Sequence, residues 1–118
     1  MPDKLTERVK VYQKMINIAE QCRQLNNYNS MLAIISGLNN SAVYRLQFTR
    51  AELPEKITRN ATELNSLMSS ENAYKLYREA LHSANPQIAP VVPYLGVYLT
   101  DLTVTKSYNI PLYIYIVY

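Results

Sequence analysis

The side chains in this 118-residue sequence that could carry covalent chemistry are few and far apart. The single histidine, His82, and the single cysteine, Cys22, stand sixty positions from each other, which suggests neither a zinc cluster nor a thiol and imidazole pair. His82 falls near the end of a helical pattern, where its charged form suits the negative end of the helix dipole. The two glycines, Gly37 and Gly96, cannot build a Gly-rich phosphate cradle. Neither G-x-S-x-G nor H-E-x-x-H occurs. Glu71 and Glu79 lie on a surface-like helix with nothing convergent around them, so they are expected to be solvated carboxylates. The sequence therefore predicts no catalytic residue, no metal and no cofactor, and its function should rest on a binding surface.

Charge narrows the partner. The formal net charge is +3, but the twelve Lys and Arg are scattered singly from Lys4 to Lys106. Phosphate binding requires cations clustered on one face, so a small basic nucleic-acid binder is a poor fit. Lone Cys22 permits no intrachain disulfide, and no basic start followed by an apolar stretch marks a secretory leader. The triplets Asn39-Asn40-Ser41 and Asn60-Ala61-Thr62 then carry no weight as glycosylation sites. No apolar run reaches the roughly 20 residues of a membrane helix. The expectation is a cytoplasmic protein without direct membrane insertion.

Elements that could present a binding surface follow from periodicity. With 48% apolar and 18% charged residues, the chain suits one globular domain. Val9, Tyr12, Met15, Ile16, Ala19, Cys22 and Leu25 recur at spacings of three and four, predicting a helix over 6–26. A second helix starts at a cap on Asn27 or Asn29 and carries Met31, Leu32, Ile34 and Ile35 to Gly37, which suits the left-handed residue after a helix. Ser41 can cap a short third helix through Leu46. Pro54 suits the first position of a fourth, with Ile57, Ala61, Leu64 and Met68 inward. Ser70 can cap a fifth that buries Tyr74, Tyr77, Leu81 and Ala84 and stops at Asn85-Pro86. Pro86, Pro90 and Pro93 then argue for an extended linker, and "GVYLTDLTVT" has the β-branched content of a strand.

The stretch "LNNYNSMLAIISGLNNSAVYRL", Leu25 to Leu46, frames a short apolar helix with five asparagines. It resembles the catalytic domain of Ras guanine-nucleotide exchange factors, whose usual pattern runs Leu-Asn-Asn-Phe-Asn, an apolar helix, Ser-Gly-Leu-Asn and an Arg-Leu close. Two further blocks match in order: "NAYKLYREAL" from Asn72 to Leu81, and "PVVPYLGVYLTDLT" from Pro90 to Thr103. The resemblance implies an all-α fold, a helical bundle-like orthogonal array, in which the third block is helical despite its strand propensity. It implies a partial catalytic domain over residues 1–105 and a divergent hydrophobic tail over 106–118.

The two Asn clusters then take different roles. Asn26-Asn27-Tyr28-Asn29 is expected to be structural, bonding the free backbone groups of two helix ends. By resemblance the second cluster faces the GTPase, with Leu32, Ser36, Leu38, Asn39, Ser41 and Tyr44 at positions that contact the Ras switch II region; Tyr74, Tyr94 and Thr100 carry over likewise. Leu32, Leu38, Tyr74 and Tyr94 would form an apolar cup for an aromatic anchor, with Ser36, Asn39 and Ser41 hydrogen bonding at its rim. The implied partner is a Ras-family small GTPase, nucleotide-free or GDP-bound, which would bring the chain to a membrane. The implied activity is exchange by coupling, without covalent chemistry.

The chain departs from the family after "LTDLT". Where the family continues with an apolar pair, two glutamates and Gly-Asn-Pro, Lys106 and Ser107 replace the acidic pair and Tyr108 the glycine. The resemblance covers the middle of a longer domain, so the chain reads as a fragment or an altered terminus. Apolar stripes left exposed, together with the uncharged Leu112 to Tyr118 tail, favour self-association. A binding protein that grips the GTPase without exchanging its nucleotide is the alternative.

Overall fold

The computed structural model describes residues 4–84 and 90–108, and these form seven helices with no strand among them. In chain order they are α1 (Lys4–Gln24), α2 (Tyr28–Leu38), α3 (Ser41–Tyr44), α4 (Gln47–Ala51), α5 (Glu55–Leu67), α6 (Lys75–Ser83) and α7 (Leu95–Tyr108). The all-α expectation holds. Strand propensity over 96–105 gives way to helix: α7 buries Val97 against the core, and tertiary contacts of this kind override local preference. The boundary expected between 105 and 106 falls inside α7. The Asn85-Pro86 stop and the tail from 109 onward lie outside the described residues.

The core is one cluster. Ile16 and Ala19 of α1 pack with Tyr28, Met31 and Ile35 of α2, with Ile57, Leu64 and Met68 from α5 and its cap, and with Tyr77 of α6 and Val97 of α7. Tyr28 and Tyr77 meet edge to face, with ring centroids 5.4 Å apart. Burial raises both phenol pKa values above their ordinary range, because the anion would lose its water.

Several local expectations fail for identifiable reasons. Leu25, placed on the α1 stripe, is 72% exposed. The helix stops at Gln24, and Asn26 adopts φ 58°, which turns the chain into α2. The N–H groups of Asn26 and Asn27 donate to the carbonyls of Arg23 and Cys22 at 3.0 and 2.8 Å, closing the last turn of α1 in a Schellman arrangement. Asparagine tolerates this left-handed position because its short polar side chain bonds locally. Gly37 was expected to take such a left-handed position after the second helix, yet α2 runs through it to Leu38, and no glycine has positive φ. Asn40, not Ser41, caps α3, accepting from the Ala42 N–H at 3.0 Å; α3 ends at Tyr44, and the separate α4 was not anticipated.

Ser70 does not open α6. Asn72, Ala73 and Tyr74 hold φ of 52°, 56° and 61°, a left-handed turn that delays the helix to Lys75. Such residues cost about 1–2 kcal/mol each, so other contacts must hold the turn.

Gly37 supplies a direct check on α2. A Cβ built there meets nothing within 4 Å, and its backbone is not left-handed. Gly37→Ala is therefore expected to stabilise the chain by about 0.5–1 kcal/mol, by restricting the unfolded state. Denaturant unfolding checks this; a loss of stability would mean that α2 does not run through Gly37.

Candidate functional site

The asparagine junction does more than connect two helices. Asn27 Oδ1 accepts from the Ser30 N–H at 3.1 Å, capping α2. The Val92 N–H donates to the Asn26 carbonyl at 2.9 Å, and the Val92 carbonyl accepts from the Tyr28 N–H at 2.9 Å. This short parallel bridge between Asn27 and Val92 docks the extended Pro-rich stretch against the α1/α2 turn. The first Asn cluster is thus structural, and it brings the first and third sequence blocks together.

The second and third blocks meet through α6. The Tyr94 N–H donates to the Tyr77 hydroxyl at 2.9 Å, which gives that fully buried phenol a polar partner. Arg78 forms a two-pronged pair with Asp101 of α7 at 2.8 and 2.7 Å, and its Nε donates to the Ala73 carbonyl at 2.7 Å. One guanidinium therefore ties the left-handed turn beneath Tyr74 to the helix that carries Thr100. Its pKa is pushed up, first by the hydrogen bond to Asp101. Tyr94 is half-buried, and its ring lies across Gly96: a Cβ there would run into the ring, 2.8 Å from Cε1. Gly96 is needed for that close approach.

The residues singled out from the sequence distribute as follows. At about 100° per residue, Leu32, Ser36 and Asn39 line one row of α2, while Leu38 lies about 120° round from Leu32. Leu38 lines a different hollow of about 620 Å³ with Val11, Tyr12, Met15, Val43 and Leu46. Leu32, Leu38, Tyr74 and Tyr94 are all partly buried against the core. Ser36, Ser41 and Thr100 are exposed, and the Thr100 hydroxyl donates back to the Gly96 carbonyl at 2.9 Å. Asn39 follows α2 as its cap, and its amide donates to Asn65 Oδ1 of α5 at 2.6 Å. Tyr44 is 53% exposed and lies beneath the Arg50 guanidinium, 4.1 Å from the ring centroid.

Sequence reasoning missed Arg50 on this surface, and Arg78 with Asp101 and the Tyr77 hydroxyl as the groups that hold it from beneath. One signal was readable: Asp101 is the single carboxylate side chain after Glu79. An isolated acid in a largely uncharged helix requires a cation, and the preceding block offered Lys75 and Arg78, of which only the arginine can form a two-pronged pair. Among the described residues, no group of three or more His, Cys, Asp or Glu could hold a metal, and no helix is long and apolar enough to cross a membrane.

Residues 1–113 match the RasGEF domain family. Among similar proteins of Dictyostelium discoideum, Ras guanine nucleotide exchange factor K is 47% identical over 108 residues, covering 92% of this chain and 7% of that protein. Ras guanine nucleotide exchange factor J is 51% identical over 107 residues, covering 90% of this chain and 13% of that protein. Ras guanine nucleotide exchange factor I is 50% identical with the same coverage. The chain thus spans at most 13% of the length of these three relatives.

Proposed function

Since this chain belongs to the RasGEF domain family, we propose that it binds a Ras-family small GTPase at switch II and acts on its nucleotide by coupling, as an exchange factor without covalent chemistry. The observation that carries the reading is the family match, which runs through all three sequence blocks. The GTPase-facing residues are Leu32, Ser36, Leu38, Asn39, Ser41, Tyr44, Tyr74, Tyr94 and Thr100. Tyr94 and Asn39 are the anchors. The Tyr94 ring is held half-buried over Gly96, and Asn39 is oriented by Asn65, so both lose little freedom on binding.

Coupling follows from linkage. A GTPase holds its nucleotide partly through switch segments ordered by phosphate and magnesium. A protein that prefers the rearranged, nucleotide-free switches must weaken the nucleotide by the factor by which the nucleotide weakens it. GDP leaves, and GTP refills the site. In a cell the GTPase, and not an insertion of its own, would bring the chain to a membrane. A second reading, a grip without exchange, is favoured by Lys106 and Ser107, both exposed near the end of α7 where the resemblance implies acids.

Binding tests the assignment. Tyr94→Ala and Asn39→Ala are each expected to weaken association with a nucleotide-free Ras-family GTPase by roughly 2 kcal/mol or more, the scale of interface hot spots. Calorimetric titration against a panel of such GTPases measures the loss. Thermal unfolding should move little in Asn39→Ala, whose side chain is exposed; in Tyr94→Ala it measures the packing lost with the ring, so titration is done well below the midpoint. Parent-like affinity in both variants would show that the surface lies elsewhere.

A further inference from the structure

Between α3, α4 and α5 lies an open hollow of about 460 Å³, whose lining includes Asn39, Tyr44, Gln47, Arg50, Thr62 and Asn65. Its charge is one-sided: Ala51, Leu53 and Ala61 supply an apolar part of the wall, amides and hydroxyls the polar part, Arg50 is the single cation, and no lining residue is acidic. Among the described residues Arg50 pairs with no carboxylate; its side chain stacks on Tyr44, and its Nε is buried without a hydrogen-bond partner. A half-buried guanidinium has lost part of its hydration, and a stacked ring compensates that only in part. Its planar fork of donors matches a carboxylate, which can accept two parallel bonds.

The hollow is continuous with the surface proposed to bind the GTPase, because Asn39 and Tyr44 belong to both. We infer that Arg50 and the hollow around it form a docking subsite for an acidic side chain, Asp or Glu, of the bound GTPase. This rests on the proposed GTPase binding and adds a charged contact to it. The Tyr44 ring holds the guanidinium in place, and the amides of Asn39, Gln47 and Asn65 flank the incoming carboxylate. Arg50 thereby contributes to partner choice: a GTPase with a neutral or basic side chain at that place would leave the guanidinium without its counter-charge.

The test measures the Kd of the full chain for a nucleotide-free Ras-family GTPase at low and at physiological salt. Arg50→Gln is expected to weaken binding about tenfold at low salt, with the gap to the parent narrowing as salt rises, the behaviour of an interfacial charge contact. Thr62→Glu, which sets a carboxylate in the hollow to occupy Arg50 and repel the partner's acid, is expected to give a similar loss with the fold unchanged by circular dichroism. If Arg50→Gln fails to fold, Thr62→Glu decides alone. If Tyr94→Ala loses affinity while the hollow variants bind like the parent, the subsite is wrong and the GTPase reading stands. If the parent binds no member of the panel, both are overturned.

Discussion

Replacing Arg78 with methionine is expected to lower the unfolding free energy by about 3 kcal/mol, the lower part of the range for stripping one partner from a buried ion pair. The lower part applies because the Arg78 and Asp101 side chains keep 17% and 11% of their exposure, so water still screens the pair to some degree. Two losses add up in the variant. Asp101, 8% exposed as a whole residue, is left without a counter-charge, and the Ala73 carbonyl loses the donor that steadies three consecutive left-handed residues. The double replacement Arg78→Met with Asp101→Leu separates these. It removes the orphaned charge but not the unsupported turn, so it should recover most of the stability and less of the GTPase affinity, because Tyr74 sits at the end of that turn. Denaturant midpoints for the parent and both variants, followed by titration with nucleotide-free GTPase, make the comparison. A loss below about 1 kcal/mol in Arg78→Met would show that the pair is effectively solvated and does not organise the surface.

How much of this was legible in the sequence depends on the range over which each signal acts. The α1 and α5 stripes were readable because burial on a helix repeats locally: Ile16, Ala19, Ile57 and Leu64 fall where the spacing puts them. The Asn27 cap was readable for the same reason, since its partner lies three residues away. The left-handed turn over Asn72, Ala73 and Tyr74 was not, because nothing in those residue types demands it; it is sustained by Arg78 and so by a tertiary arrangement. The same holds for α7. Its strand-like composition yields to helix because Val97 and Asp101 must reach the core and Arg78, and both contacts are long-range. Of the site residues, the row of Leu32, Ser36 and Asn39 follows from helical spacing alone. The separate direction of Leu38 follows from it too, whereas the joining of the blocks through Val92 and Tyr94 required the fold.

On the second reading, a grip without exchange, GDP release from a loaded Ras-family GTPase is expected to stay within about tenfold of its unaided rate even at saturating concentrations of the 118-residue chain, a lowering of the release barrier by no more than about 1.4 kcal/mol, although the nucleotide-free GTPase binds. Tight binding alone cannot drive release, because a ligand with equal affinity for two states shifts neither. The differential must come from a group that opposes the magnesium-bound, phosphate-bound state. By resemblance that group is the acidic pair, and this chain carries Lys106 and Ser107 in its place, both exposed near the end of α7. A lysine there attracts phosphate and so favours the state it should oppose. It also suits the negative end of the α7 dipole, which makes Lys106→Glu with Ser107→Glu unfavourable for the helix end and a poor rescue of exchange. The decisive measurement is the release rate of a fluorescent GDP analogue against chain concentration, with the exchange domain of a relative such as Ras guanine nucleotide exchange factor J as reference. Saturable acceleration matching that reference would overturn the prediction by showing that switch II contacts alone supply the differential. Absence of binding to any nucleotide-free GTPase would overturn it from the other side, since coupling presupposes a complex.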